Sequence, residues 1–205
     1  MEKLDMYKIE KELFKKGYRL IAGVDEAGRG PLAGDVYAAA VILDPDDEIE
    51  GLNDSKKLTE KKREELYEEI TKRALAYAIC PVSAEVIDEV NILNATFMAM
   101  NGAVDNLSVK PDFVLIDGNR IKDMKTEHET VVKGDAKSAS IAAASILAKV
   151  ARDRYMLELD KKYPEYNFSK HKAYGTKEHL ELIKKYGPSP IHRKSFKGVK
   201  EYVKD

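Results

Sequence analysis

The sequence predicts an α/β fold, a central β-sheet flanked by helices, and three observations carry that prediction. Short runs rich in Val, Ile, Ala and Tyr alternate with longer segments of helical hydrophobic spacing. One run, Phe113-Val114-Leu115-Ile116, is continuously apolar, as expected for a buried strand. The 205 residues contain no internal repeat, low-complexity tract or dividing linker, so 1–205 reads as a single layered domain.

Each element has a local reason. Residues 4–16 repeat with helical spacing and stop at Gly17. Residues 19–25 and 36–43 read as strands, separated by a glycine-rich loop and followed by the acidic turn Asp44-Pro45-Asp46-Asp47. Thr59 caps a charged helix running to Arg73, and a short strand follows over 75–80. A helical pattern then runs from Ser83 through Val86, Val90 and Leu93 to Leu107. Pro111 introduces the 113–116 strand, which ends at Asp117-Gly118, and Thr130-Val131-Val132 forms another ending at Lys133-Gly134-Asp135. A long helix over 138–160 carries Ala142, Ala143, Ala144 and Ser145, small residues that permit close packing. A shorter helix spans 176–186 before Gly187-Pro188.

Composition narrows the chemistry. Cys80 is the single cysteine, so a disulfide framework and a cysteine-based zinc site are excluded; it reads as core filler, and a cytoplasmic setting is expected. No apolar run is long enough to span a bilayer, and no membrane partner is expected. Net charge is −1, but residues 168–200 carry nine Lys/Arg against two Glu, which suggests a polyanion-facing surface or a solvated lysine-rich face.

Three of the expected strands finish at carboxylates: Asp25-Glu26, Asp117 and Asp135. Ligands of α/β sheets collect where strands end. If these strands are neighbours, four acids converge, and converging carboxylates call for hard cations such as Mg²⁺ or Mn²⁺. A pair of such ions activates water and stabilises a leaving oxygen in phosphodiester hydrolysis. The competing reading is that strand-end aspartates are ordinary turn residues. Neighbours in a strand also point to opposite faces, so Asp25 and Glu26 share a site only where the strand ends or twists.

The loop after them, Gly28-Arg29-Gly30-Pro31, lacks the spacing of a dinucleotide-binding loop, and two adjacent acids would repel a pyrophosphate. Gly28 and Gly30 instead suit close approach of bare backbone to a substrate.

The segments AGVDEAGRGPLAG, NDSKKL, LIDGN, VVKGD, AAASILAKVARD and HKAYGT occur in that order across residues 22–176. Together they closely resemble bacterial ribonuclease HII, the type 2 ribonuclease H family. The resemblance implies a ribonuclease H-like fold: a central mixed β-sheet flanked by helices, with a helical C-terminal substrate-binding portion over about 163–205. It implies two-metal cleavage of RNA in RNA–DNA hybrids, with Mg²⁺ or Mn²⁺. It also implies incision 5′ to ribonucleotides embedded in duplex DNA, leaving 3′-hydroxyl and 5′-phosphate ends.

Carried over by position, the catalytic and metal-binding acids are Asp25, Glu26, Asp117 and Asp135, the four already singled out. Gly28, Arg29 and Gly30 fall on the family's ribose-sensing motif, whose backbone reads the 2′-hydroxyl. Tyr174 matches the tyrosine that packs on the deoxyribose following the ribonucleotide. Asn53, Ser55 and Lys56 are candidates for phosphate contact, as are Lys172, Arg193 and Lys194 from the basic stretch. His128, His171, His179 and His192 show no metal-ligand spacing and read as surface or phosphate-side residues.

Two positions depart from the family pattern. Asp35 adds a carboxylate where a proline or small residue is frequent. Ala173 replaces the glycine that commonly precedes the tyrosine, and a left-handed backbone there would strain it.

Ribonuclease HIII and a non-catalytic hybrid-binding module are the alternatives. Only about 20 residues precede the first strand, whereas ribonuclease HIII carries an added N-terminal domain; all four acids are present, which favours catalysis. The tail Glu201–Asp205 shows no clamp-binding peptide, and a monomer is the simplest expectation.

Overall fold

Strand β1 (Ile21–Ala27) is the axis of a five-stranded mixed sheet. On one side it pairs antiparallel with β2 (Val36–Ile42), which pairs antiparallel with β3 (Ala76–Val82). On the other it runs parallel to β4 (Phe113–Asp117), itself parallel to β5 (His128–Val131). The order is therefore β3-β2-β1-β4-β5. The computed structural model describes residues 5–203. The expected start of the first helix at residue 4 and the end of the tail, Lys204-Asp205, lie outside the described residues.

Strand alternation distributes the core between the two faces. Ala22 and Val24 of β1, with Val36, Ala38, Ala40 and Ile42 of β2, pack under α3 (Ala84–Asp105). Ala39 and Val41 of β2 face the opposite side, where α4 (Ala139–Lys162) lies with Ala142, Ala143, Ile146 and Leu147 buried. Helix α2 (Glu60–Arg73) closes that side with Leu66 and Ile70, and α1 (Lys8–Lys15) adds Leu13 beside Ile21, Phe113 and Leu115. Thr59, Ser83 and Ser138 cap α2, α3 and α4 by accepting from amides three residues on. The C-terminal segment adds α5 (Phe168–His171) and α6 (Lys177–Tyr186) around Tyr166 and Phe168. Cys80 is half-buried on the edge strand, its Sγ against Gly102, consistent with a packing role.

One expected helix is two. The segment over 83–107 breaks at Asn91 (φ 68°, ψ 162°). Its Oδ1 accepts from the amides of Leu93 and Asn94, each at 3.1 Å, so Asn91 caps a second helical piece. Hydrophobic spacing runs through such a break unaltered because both pieces face the same core.

Gly23 sets how closely α4 lies on the sheet. A Cβ there would stand 2.0 Å from the Ser140 carbonyl carbon and 2.3 Å from the Ile141 nitrogen, both backbone atoms that no rotamer change can move. Gly23→Ala should destabilise the protein by about 3 kcal/mol or more. Urea unfolding with an unchanged slope and a lower midpoint is the expected result.

Candidate active site

Asp25, Glu26 and Asp117 border the point where the sheet forks. Parallel pairing of β1 with β4 reaches Val24↔Ile116 and stops, while β1 stays paired to β2 as far as Ala27↔Tyr37. Asp25 and Glu26 therefore lie inside β1, not at its end as the sequence suggested, and only their β4 side is open. Asp25 shares the α4 face with Gly23, and Glu26 shares the α3 face with Val24. Both flank the fork, which is how neighbours of opposite orientation border one opening. Asp117, one step past Ile116, follows the same register. After β5 the chain turns through Lys133 in the left-handed conformation (φ 55°), and the Gly134 amide donates to Asp117 Oδ1 at 2.6 Å. That bond sets Asp135 beside Asp117.

The electrostatics report the convergence. Burial raises the Asp25 carboxyl well above its usual range, with Glu26 and Asp117 adding repulsion. Burial also raises Asp135, with Asp117 and Asp54 contributing. Burial pulls Lys56 down, but Asp25, Asp54, Asp135 and Glu26 outweigh it and hold the ammonium above its ordinary value. Carboxylates on adjacent strands about 4.8 Å apart repel by roughly 3 kcal/mol at an effective dielectric of about 20. Among the described residues no group of three or more His, Cys, Asp or Glu is placed so that it could hold a metal ion. The donor set is nonetheless all carboxylate oxygen, which fits hard divalent cations and not zinc or copper.

A cleft of about 520 Å³ runs beside the acids, lined by Glu26, Gly28, Arg29, Gly30, Ser55, Lys56 and Tyr174 among others. A smaller adjoining hollow shares Glu26 and Arg29 and adds Asp117, Asn119 and Arg120. At their border Arg29 Nη1 pairs with Glu26 Oε1 at 3.3 Å. Ser55 is buried, its hydroxyl 2.9 Å from that of Ser145. Asn53 sits just behind, its Oδ1 accepting from the Asp54 amide. Tyr174 is 46% exposed, and its ring edge lies where a Cβ on Gly30 would touch it, at 3.4 Å. The loop and the C-terminal segment thus meet across the cleft. Sequence reasoning missed Asp54, Ser145 and Lys149; Lys149 lines the cleft, ion-paired to Asp153 at 2.6 Å. All three fall inside the quoted motifs, which was the available signal.

Several residues expected at the site are buried or lie elsewhere. Arg193 does not present itself to phosphate: it is fully buried and donates to the carbonyls of Gly28, Arg29, Pro31 and Gly34 at 2.6–3.0 Å. Burial, then the neighbouring Arg152 charge, lowers its pKa, while Asp35, Asp88 and Tyr174 act in the opposite direction. Lys194 lies in a separate hollow among Glu85, Asp88 and Glu89 and does not line the cleft. Lys172 Nζ donates to the Ser169 carbonyl at 2.7 Å. Of the histidines, His171, His179 and His192 are buried, contrary to the surface reading; only His128 is exposed. Asp35 faces Tyr155, whose hydroxyl donates to Oδ1 at 3.1 Å, and does not line the cleft. Ala173 is left-handed (φ 65°) and buried, so the strain foreseen for it is present.

The family model described as Ribonuclease HII matches residues 22–199. A ribonuclease HII of Caldicellulosiruptor bescii is 59% identical over 190 residues, covering 93% of this chain and 92% of the relative. The crystal structure of ribonuclease H2 from Pyrococcus horikoshii superposes with a TM-score of 0.75 at 29% identity, covering 90% of this chain and 97% of that one. A PCNA:RNase HII complex from Archaeoglobus fulgidus also gives 0.75, at 28% identity, covering 87% and 96%.

The left-handed conformation costs an alanine about 1–2 kcal/mol, and glycine would return roughly 0.5–1 kcal/mol of that as backbone entropy. Ala173→Gly should therefore stabilise the protein by about 0.5–1 kcal/mol, a rise in melting temperature of roughly 1–4 °C. Calorimetry on both proteins checks this.

Proposed function

The chain belongs to the ribonuclease HII family and is a metal-dependent ribonuclease, and on that premise we propose its substrates and its site. It cuts the RNA strand of RNA–DNA hybrids and incises 5′ to ribonucleotides embedded in duplex DNA, leaving 3′-hydroxyl and 5′-phosphate ends. The observation that carries this reading is the shared cleft: Glu26, the Gly28-Arg29-Gly30 loop and Tyr174 line one cavity beside the buried Asp25.

Asp25, Glu26, Asp117 and Asp135 would hold two divalent cations, Mg²⁺ or Mn²⁺. Such ions, when bound, activate water and stabilise the leaving oxygen. The protein's own groups supply recognition. The Arg29 and Gly30 amides offer donors to a ribose 2′-hydroxyl, the group that distinguishes RNA from DNA. Lys56, kept charged by the surrounding acids, attracts the phosphate backbone, with Ser55 and Asn53 behind it. The Tyr174 ring packs on the deoxyribose that follows the ribonucleotide. The segment over about 163–205 forms the substrate-binding portion of one domain, acting as a monomer.

Two measurements test this. A labelled DNA duplex containing one ribonucleotide should be cut once, 5′ to it, with added Mg²⁺ or Mn²⁺. Chelation should abolish the cut and fresh metal restore it. Binding without cutting in either metal would favour a non-catalytic hybrid-binding module. Asp117→Asn should lower turnover by more than about 100-fold with the fold retained; substantial residual activity would remove Asp117 from the site.

A further inference from the structure

The C-terminal segment contains three buried histidines that the cleavage reaction leaves unused. His171, His179 and His192 are at most 9% exposed. Rings 171 and 179 stack with centroids 4.5 Å apart, and Phe168 stands edge-on to both. Every ring nitrogen is engaged. His171 Nε2 lies 2.9 Å from the Tyr166 carbonyl, and His171 Nδ1 accepts from the Ala173 amide at 3.2 Å. His179 Nδ1 lies 3.0 Å from the Tyr174 carbonyl, and its Nε2 lies 3.1 Å from His192 Nε2. His192 Nδ1 accepts from the Ser189 amide at 2.9 Å, with the Ser189 hydroxyl at 2.8 Å. No nitrogen is left to bind a metal.

These partners admit one arrangement of protons. A carbonyl only accepts, so His179 carries its proton on Nδ1 and His171 on Nε2. An amide only donates, so His192 Nδ1 is bare and its proton sits on Nε2, which donates to the bare Nε2 of His179. The result is a directed chain: Ser189 to His192, His192 to His179, His179 to the Tyr174 carbonyl. A second proton on His179 would set two N–H groups against each other across 3.1 Å, and one on His192 would set its Nδ1–H against the Ser189 amide at 2.9 Å. Burial lowers both, to about 4 for His179 and about 3 for His192. Glu178, its ion-pair partner Lys170, and Asp160 of α4 act on His171, and Glu85, Asp88, Glu89 and Lys194 line a hollow together with His192.

The chain ends on the backbone that carries Tyr174. Lys172 and Ala173, just before it, are both left-handed (φ 49° and 65°). A strained pair of this kind persists only where its surroundings hold it. His171 holds the Ala173 amide and His179 the Tyr174 carbonyl, while Leu32 of the glycine loop donates to the Ala173 carbonyl at 2.8 Å. We propose that His171, His179 and His192 form a neutral relay of fixed tautomers that positions Tyr174 over the cleft, making them positioning residues for recognition of the ribonucleotide–DNA junction. The inference rests on the role proposed above for Tyr174.

Nitrogen chemical shifts of the imidazoles in the full chain at neutral pH test the relay without reference to activity. Protons on His179 Nδ1, His192 Nε2 and His171 Nε2 are expected; a proton on His179 Nε2 overturns the relay. Its purpose is read from the ratio of single-ribonucleotide incision to cleavage of a continuous RNA–DNA hybrid, at a temperature where circular dichroism shows each variant folded. His179→Asn keeps an N–H at the Nδ1 position and should stay within about 3-fold of the wild-type ratio, whereas His179→Leu should lower it roughly tenfold. His192→Gln, which keeps the donor at the Nε2 position, should resemble His179→Asn and serves if the leucine variant does not fold. Equal ratios in the asparagine and leucine variants, or a glutamine variant reduced as far as Tyr174→Ala, would overturn the proposal. Tyr174→Ala separates the two readings. A reduced ratio there with an unchanged one in His179→Leu removes the relay alone. An unchanged ratio in Tyr174→Ala removes the role of the tyrosine and with it the purpose of the relay.

Discussion

Two buried guanidiniums with no carboxylate partner among the described residues hold the working face together. Arg193, from the C-terminal segment, gathers the carbonyls of Gly28, Arg29, Pro31 and Gly34. Arg152, from α4, takes those of Ala33, Asp35 and Lys172, each at 3.2 Å. Carbonyls suit the task because a peptide is planar and nearly always trans. Drawing the Gly28 and Arg29 oxygens inward turns the amides of Arg29 and Gly30 away from Arg193. Gly28 has no room for a side chain at this point, since its Cβ would lie 2.1 Å from Arg152 Nε. One pair of cations thus binds β1, the glycine loop, α4 and the C-terminal segment into one unit.

That unit explains why the cleft has two unlike walls. On one side acids repel one another at the fork between β1 and β4, and the Lys56 ammonium stands in their field. On the other, Tyr174 leans over Gly30 from a turn that the histidines and Leu32 restrain. The acid wall is set by strand register and the tyrosine wall by packing of the C-terminal segment. Arg152 touches both, through its place on α4 and its bond to Lys172.

The histidines and Arg193 show what spacing alone misreads. A basic stretch in a near-neutral chain suggests charge facing solvent, and several of its lysines do face it. Arg193 does not, because four inward carbonyls need donors and its guanidinium supplies them in a fixed fork. Likewise three histidines without ligand spacing gave no signal of a cluster, since α5, α6 and the loop before Arg193 bring them together from positions 171, 179 and 192.

By itself the sequence determined the element order, the cap at Thr59 and which carboxylates follow the strands, because these depend on local spacing and on residue chemistry. It also marked Ala173 as a point of strain. Tertiary structure alone decided the break at Asn91, the continuation of β1 through Ala27, the turn of Asp35 toward Tyr155 and the inward turn of Arg193. Those outcomes depend on what a side chain or strand edge meets across the fold. Asp25 and Glu26 border one opening only because β4 leaves β1 after Val24 while β2 does not. Pairing between strands some 90 residues apart leaves no trace in the local pattern of either.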